Sequence, residues 1–334
     1  LAGQGGVALI AGEAGSGKTA LLDELARRAG RAHDDLIVLR GRCNAFGGAG
    51  DPYLPFREML QMLAGNVEAR RAGGSVSPEQ AQRAWDALPV VGAALVEHGP
   101  DLIDAFVPGE VLLQCVEGFP SPHSTARWHA SLREIALRGR AQEGTPAPQT
   151  DLFAQVTGVL HAVSQARPLL LAVDDLQWAD EASRAVLLGL ARRPLDGVRV
   201  LATTRPDPLM TGGETVEVLE LLPLGATYSL ELATQVVPGI GRDALDRVLA
   251  RGHGVPLFLE ELAAAGEMQE VPPDMRARLS ETSAVPGVLY EPLLARLSQP
   301  TVDLRVAQVA ATIGTTFDVD VLGASMGRSR ERLE

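Results

Sequence analysis

Eight consecutive residues, Gly12-Glu13-Ala14-Gly15-Ser16-Gly17-Lys18-Thr19, hold the one lysine of a chain in which thirty residues are lysine or arginine. Their pattern is G-x-x-x-x-G-K-[ST]. Glycines so placed let the backbone curl until successive N–H groups face a common point, an arrangement that suits phosphate oxygens. A helix beginning there adds the positive end of its dipole. Lys18 is a compact charge on a flexible stem and can reach β- and γ-phosphates. Arginine's wide planar fork does not fit so narrow a cradle, which gives a reason for keeping one lysine among arginines. Thr19 would place its hydroxyl on Mg2+. The stretch read as nucleotide-binding is Gly12, Glu13, Ala14, Gly15, Ser16, Gly17, Lys18, Thr19 and Ala20.

A second group is acidic. Leu169 to Val173 is a five-residue apolar run that ends in Asp174 and Asp175. At the carboxyl edge of a parallel sheet such residues face the ligand crevice. Asp174 is assigned to Mg2+, held through water, and Asp175 to polarising the attacking water. Asp180 could cap the helix that follows. Thr203, Thr204 and Arg205 close another apolar run, and Arg205 is assigned to charge-assisted hydrogen bonds with a γ-phosphate. A surface arginine before a proline turn is the plain alternative. Arg192 and Arg193 read as a solvated helix end, and Trp178 reads as a packing residue. In "GHGVPLFLEEL" (252–262) Pro256 opens a helix and offers a flat apolar surface to a base. Cys115, His123 and His129 have no recognised metal-ligand spacing.

These groups need strands and helices to bring them together. "GGVALIAG" (5–12) reads as a buried strand, followed from Thr19 by a helix. "DLIVLRGRC" (35–43), "LLLAVDD" (169–175) and "VRVLATTR" (198–205) are further strands, and "TVEVLEL" (215–221) is a fifth, at an edge. Helical stretches at 151–166 and 180–192 separate them. Such alternation implies an α/β fold, a parallel sheet covered on both faces. Helical patterns near 54–64, 78–97 and 126–138, with loops at 117–124 and 144–150, make roughly 65–150 a helical insertion. After 225 the strand pattern gives way to short helices.

The chain is acidic, with a net charge of −12 and no block of like charge, which argues against a surface that coats nucleic acid. Two cysteines far apart in sequence give no disulfide framework and fit a reducing cytoplasm. No apolar run approaches the roughly 18 residues that span a bilayer. Opening at Leu1 without methionine and stopping inside a helical pattern at Glu334, the chain reads as a piece of a longer protein.

The motifs "GEAGSGKT", "GRC" followed by "DPYLPF", "VDDLQWAD", "TTRPD" and "GVPLFLEEL" occur in this order across about 5–265. In this the chain resembles the STAND class of P-loop ATPases, which is related to AAA+ proteins. The likeness is particularly to bacterial members fused to transcription-regulator, cyclase or helical-repeat domains. The resemblance implies a P-loop NTPase with a five-stranded parallel sheet in the order 5-1-4-3-2. It divides the chain into a nucleotide-binding domain at 1–224, a helical domain at 225–284 and the start of a winged helix at 285–334. It implies ATP or ADP and Mg2+ as cofactors, with slow hydrolysis. Lys18, Asp175 and Arg205 would be the catalytic residues, Thr19 and Asp174 the metal residues, and Pro256 would lie on the adenine. By the same resemblance, the segment that covers the adenine would be expected ahead of this stretch. The expected partners are nucleotide, effector or output domains outside this stretch, and other copies of the chain on activation. Neither a membrane nor direct contact with nucleic acid is expected. The rival reading is a DNA-handling AAA+ loader gripping DNA through its winged helix. Arg296, Arg305, Arg328, Arg330 and Arg332 in that segment are offset by acids.

Overall fold

The computed structural model describes residues 5–44, 52–65, 77–118, 126–141, 149–206, 216–264, 303–313 and 319–328. They fall into two compact units, Leu1–Leu221 and Leu222–Glu334.

The first unit is built on five strands: β1 (Gly6–Gly12), β2 (Ile37–Arg42), β3 (Leu169–Asp174), β4 (Val198–Thr204) and β5 (Val216–Leu221). All neighbours pair in parallel, in the order β2-β3-β4-β1-β5, which read from β5 is the expected 5-1-4-3-2. β3 is a continuous apolar run because it is covered on both faces, and its first five residues are all buried. β5 is an edge strand with most of its residues exposed.

Helix α1 (Lys18–Ala32) turns Leu22, Ala26 and Gly30, four residues apart, into the sheet side. Arg83 closes its other end, where Nη1 donates to the carbonyls of Gly30 (2.7 Å), His33 (3.0 Å) and Leu36 (3.0 Å). Gly30 O is one of the carbonyls that a helix terminus leaves without an intrahelical partner.

Between β2 and β3 run α2 (Leu54–Leu63), α3 (Pro78–His98), a 3₁₀ turn (Pro100–Leu102), α4 (Gly109–Glu117), α5 (Ala126–Ala141) and α6 (Gln149–Ser164). α4 is absent from the sequence reading, because nine residues are too short to show a helical period clearly. The intervening helices share one core with the sheet: Leu88, Val91, Leu95, Val159 and Val163 are buried in the same cluster as Leu9, Leu39 and Leu171. Gly92 permits the closest of these contacts, since a Cβ there would stand 2.3 Å from the Trp128 ring.

α3 also finishes the sheet. β2 lies at an edge, and an edge strand presents unpaired backbone groups. The Gln80 side chain meets two of them, accepting from Val38 N–H (2.9 Å) and donating to Leu36 O (3.3 Å). α7 (Glu181–Arg192) follows β3, its first turn capped by Asp180, which accepts from Ser183 N–H at 2.9 Å.

The second unit holds α8 (Ala226–Val236), α9 (Arg242–Gly252), α10 (Pro256–Ala264), α11 (Leu304–Ile313) and α12 (Val319–Met326). Ala233, Val248, Leu259, Leu262 and Ala263 form the core of its first three helices. α11 packs on α12, and Arg328 bridges to Asp303 at 2.8 Å. Most of the expected loops at 117–124 and 144–150, the stretch 285–302, and Arg330 and Arg332 lie outside the described residues. Among the described residues no helix is long and apolar enough to cross a membrane.

Candidate functional site

The register of a parallel sheet puts strand ends side by side. Gly12 ends β1, Arg42 ends β2 in register with Asp174 of β3, and Thr203 lies beside Asp174 because Val173 pairs with Ala202. A helix and four neighbouring strand tips thus converge on one crevice.

The loop from Gly12 to Lys18 has the curl that its glycines suggest. Gly15 (φ 81°) and Gly17 (φ 89°) occupy the left-handed region, where a side chain would be strained. Ser16 N–H donates to Glu13 O at 3.2 Å. Gly17 caps α1 without a side chain, so the helix brings uncapped N–H groups to the loop. Ser16 Oγ is buried and has no hydrogen-bond partner among the described residues. A buried hydroxyl in that state fits a ligand oxygen. Lys18 is 7% exposed, and its ammonium donates to Gly12 O (3.0 Å) and Glu13 O (2.8 Å). An ammonium has three protons, and a third remains for an anion. Burial holds the Lys18 pKa below its ordinary value of 10.5; Asp175 opposes that shift and Arg205 adds to it.

The two residues expected to hold a metal lie against each other. Thr19 Oγ1 lies 3.0 and 3.1 Å from the two carboxylate oxygens of Asp174. Hydroxyl and carboxylate make an all-oxygen donor set, which is what Mg2+ prefers. Asp174 is further held by Thr203, whose hydroxyl donates to Oδ1 at 2.5 Å. The same Thr203 oxygen accepts from Asp175 N–H at 2.9 Å, so one buried hydroxyl spans both acids.

Asp175 has a left-handed backbone, φ 59° and ψ 44°, a conformation uncommon for a residue with a side chain. Its carboxylate has two partners. Arg42 Nη2 lies 3.1 Å from Oδ2, and Gln177 Nε2 donates to Oδ1 at 2.9 Å. Arg42 Nε also stands 4.0 Å from Asp174. Arg42 is a site residue that motif reading missed; the available signal was its place as the last residue of the strand beside the acids.

Arg205 is exposed, and its guanidinium carbon sits 5.7 Å from the centre of the Trp178 ring. Trp178 is therefore not the packing residue expected: it is 45% exposed. Arg192 and Arg193 are exposed at the end of α7. Cys43, buried beside the acids, is no nucleophile, since burial first and the neighbouring carboxylates second push its thiol up to about 12. No group of three or more His, Cys, Asp or Glu residues forms a metal site of its own among the described residues. Pro256 lies in the second unit. It opens α10 directly after Val255, whose N–H donates to Gly252 O at 2.8 Å.

A family model described as AAA ATPase domain matches residues 1–202. The chain is 29% identical to an uncharacterized protein of Rhizobium meliloti (strain 1021) over 344 residues, which take in 97% of this chain and 29% of that protein. The chain thus spans 29% of that relative's length. Among solved structures it is similar to two mutant forms of Thermotoga maritima RuvB, at 14% identity and TM-scores of 0.27 and 0.26, covering 55% of this chain and 72% of those.

Proposed function

The chain belongs to the AAA ATPase domain family, and we propose that it is the ATP-binding, slowly hydrolysing switch core of a larger signalling or transcription-regulatory ATPase, of the STAND type that its motifs resemble. Binding and hydrolysis of nucleotide go with the family. The observation that carries the site assignment is the contact of Thr19 Oγ1 with both oxygens of Asp174, beneath a glycine loop that buries Lys18.

In this reading the loop N–H groups and Lys18 hold the β- and γ-phosphates, and Thr19 and Asp174 hold Mg2+. When bound, the ion would neutralise charge on the phosphate oxygens. Asp175 accepts the proton of the attacking water at a carboxylate oxygen, and Arg205 donates to the γ-phosphate. Pro256 is assigned to the adenine by the resemblance. Two features favour slow turnover. Asp175 is held by Arg42 on one oxygen and Gln177 on the other, so its carboxylate is fixed in place rather than free to follow a water. Arg192 and Arg193 end α7 in solvent and give no arginine aimed at the crevice. Switching then requires only that ATP and ADP favour different arrangements of the chain.

The test is binding followed by chemistry. Mg2+–ATP or ADP at 100 times Kd stabilises the folded chain by about 2.7 kcal/mol. Lys18→Ala removes most of that gain. Asp174→Asn lowers the extra affinity that Mg2+ provides. Asp175→Asn leaves affinity within a few-fold while single-turnover hydrolysis falls by about 10²–10⁴. Absence of binding at millimolar nucleotide refutes the reading, and parental hydrolysis in Asp175→Asn refutes the choice of base.

A further inference from the structure

The motif Asp175-Leu176-Gln177-Trp178 contains two side chains that a nucleotide site has no evident need of. One is a glutamine between the acids and the fourth strand, and the other is a large aromatic left half in water. Leu176 is buried at 1% exposure and anchors the 3₁₀ turn Leu176–Trp178, which also closes through Trp178 N–H on Asp175 O (2.9 Å) and Ala179 N–H on Leu176 O (3.0 Å). The turn is thus fixed to Asp175 at one end and to the core at its middle.

Gln177 uses both ends of its amide. Nε2 donates to Asp175 Oδ1 at 2.9 Å, and Oε1 accepts from the backbone N–H of Arg205 at 3.2 Å. Trp178 carries the Arg205 guanidinium over its ring at 5.7 Å. A cation is attracted to an aromatic face, most strongly to that of tryptophan. The exposure of the indole argues against a packing role, because 45% of it gains nothing from burial. Backbone and side chain of Arg205 are therefore both held by this turn, and the same turn holds the carboxylate of Asp175.

We propose that the turn Leu176–Trp178 is a positioning clip that couples Arg205 to Asp175, with Gln177 and Trp178 as its positioning residues. The proposal rests on the reading of Asp175 as base and Arg205 as γ-phosphate donor. Held over the indole, the Arg205 guanidinium is ordered before a phosphate arrives, and a shift of its backbone on meeting the γ-phosphate pulls on the amide that holds Asp175. The clip thereby makes readiness of the base depend on the γ-phosphate. ADP, lacking that group, gives no such pull.

The experiment uses the chain as it stands, with ATP and ADP affinities by titration calorimetry and single-turnover hydrolysis. It compares the parent with R205A, W178A, W178F, Q177A and the W178A/R205A double variant. R205A is expected to lower the preference for ATP over ADP. W178A lowers it by about 2- to 30-fold, the range of a cation–π contact, and W178F restores most of it. The double variant is no worse than R205A alone, since both remove one interaction. Q177A slows hydrolysis by a larger factor than it weakens ATP. Emission of Trp178, obtained by subtracting W178F from the parent, changes with ATP and not with ADP. An unchanged ATP preference in R205A overturns the underlying sensor reading and the clip with it. A changed preference in R205A beside an unchanged one in W178A overturns the clip alone, as do equal losses for both nucleotides in W178A or additive losses in the double variant. If W178A does not fold, the emission difference decides, and an equal response to ATP and ADP counts against the clip.

Discussion

Thr203→Val is the perturbation with the most to say about how the two acids are held. Thr203 is 0% exposed, and its hydroxyl makes two bonds at once, donating to Asp174 Oδ1 (2.5 Å) and accepting from Asp175 N–H (2.9 Å). Valine keeps the branched shape and removes both. A hydrogen bond to a charged group contributes about 1.5–3 kcal/mol, and a stranded buried donor costs about 1–3 kcal/mol. Asp174 retains Thr19, so the lower parts of both ranges apply, and the sum is about 2–4 kcal/mol. For a unit of this size each kcal/mol is about 2–4 °C, which puts the melting temperature of the first unit about 4–16 °C lower. Thr203→Ser keeps the hydroxyl, loses one methyl and costs about 1 kcal/mol. Urea unfolding checks this, with an unchanged m-value showing that stability rather than compactness has moved. A Thr203→Val variant within about 0.5 kcal/mol of the parent, or a serine variant as damaged as the valine one, refutes the bridging role.

The lone lysine gives a pH dependence of definite sign. Its folded pKa lies below the 10.5 of the free group, chiefly through burial, so the folded chain carries an unfavourable ammonium at low pH and is relieved of it as pH rises through the lowered value. A polyphosphate raises that pKa again, so nucleotide binding takes up protons in the alkaline window below 10.5. Calorimetry in buffers of different ionisation heat measures the uptake, and equal uptake in Lys18→Arg refutes it. At the sheet edge, Gln80→Ala strands Val38 N–H and destabilises by about 1–3 kcal/mol, with faster hydrogen exchange at that amide; Gln80→Glu, which keeps the acceptor, should recover the Val38 protection, and its failure to do so refutes the edge pairing.

All five strands and their order were legible, though by different routes. Apolar runs such as Leu169–Val173 mark buried parallel strands directly, whereas the order 5-1-4-3-2 entered through the resemblance and nothing in periodicity gives it. The phosphate loop was legible because its chemistry is local: glycine, lysine and threonine act within eight residues. Arg42, Gln177 and the bridging role of Thr203 were not, because each acts across strands, and the register that sets Arg42 beside Asp174 is a property of pairing between residues 132 positions apart. Trp178 was misread for a related reason: an aromatic after an apolar strand is ordinarily core, and only the position of Arg205 shows what it faces. Short α4 and the docking of α3 on β2 were likewise tertiary facts, the second resting on one glutamine that looks like any other surface residue in sequence.

Because Lys18 is the sole lysine, the other twenty-nine of the thirty Lys and Arg side chains are guanidiniums, and the only side-chain amine is the one enclosed by the loop and tied to two carbonyls. Acylation, reductive methylation and amine cross-linking, which on most proteins decorate the surface at many places, here find a single side-chain target. Each such adduct would neutralise or enlarge the one ammonium that lies against the Gly12 and Glu13 carbonyls and, in the proposed reading, against phosphate. Amine chemistry on these side chains therefore reports on nothing but the loop, and its rate, read with and without nucleotide, measures how often that loop opens.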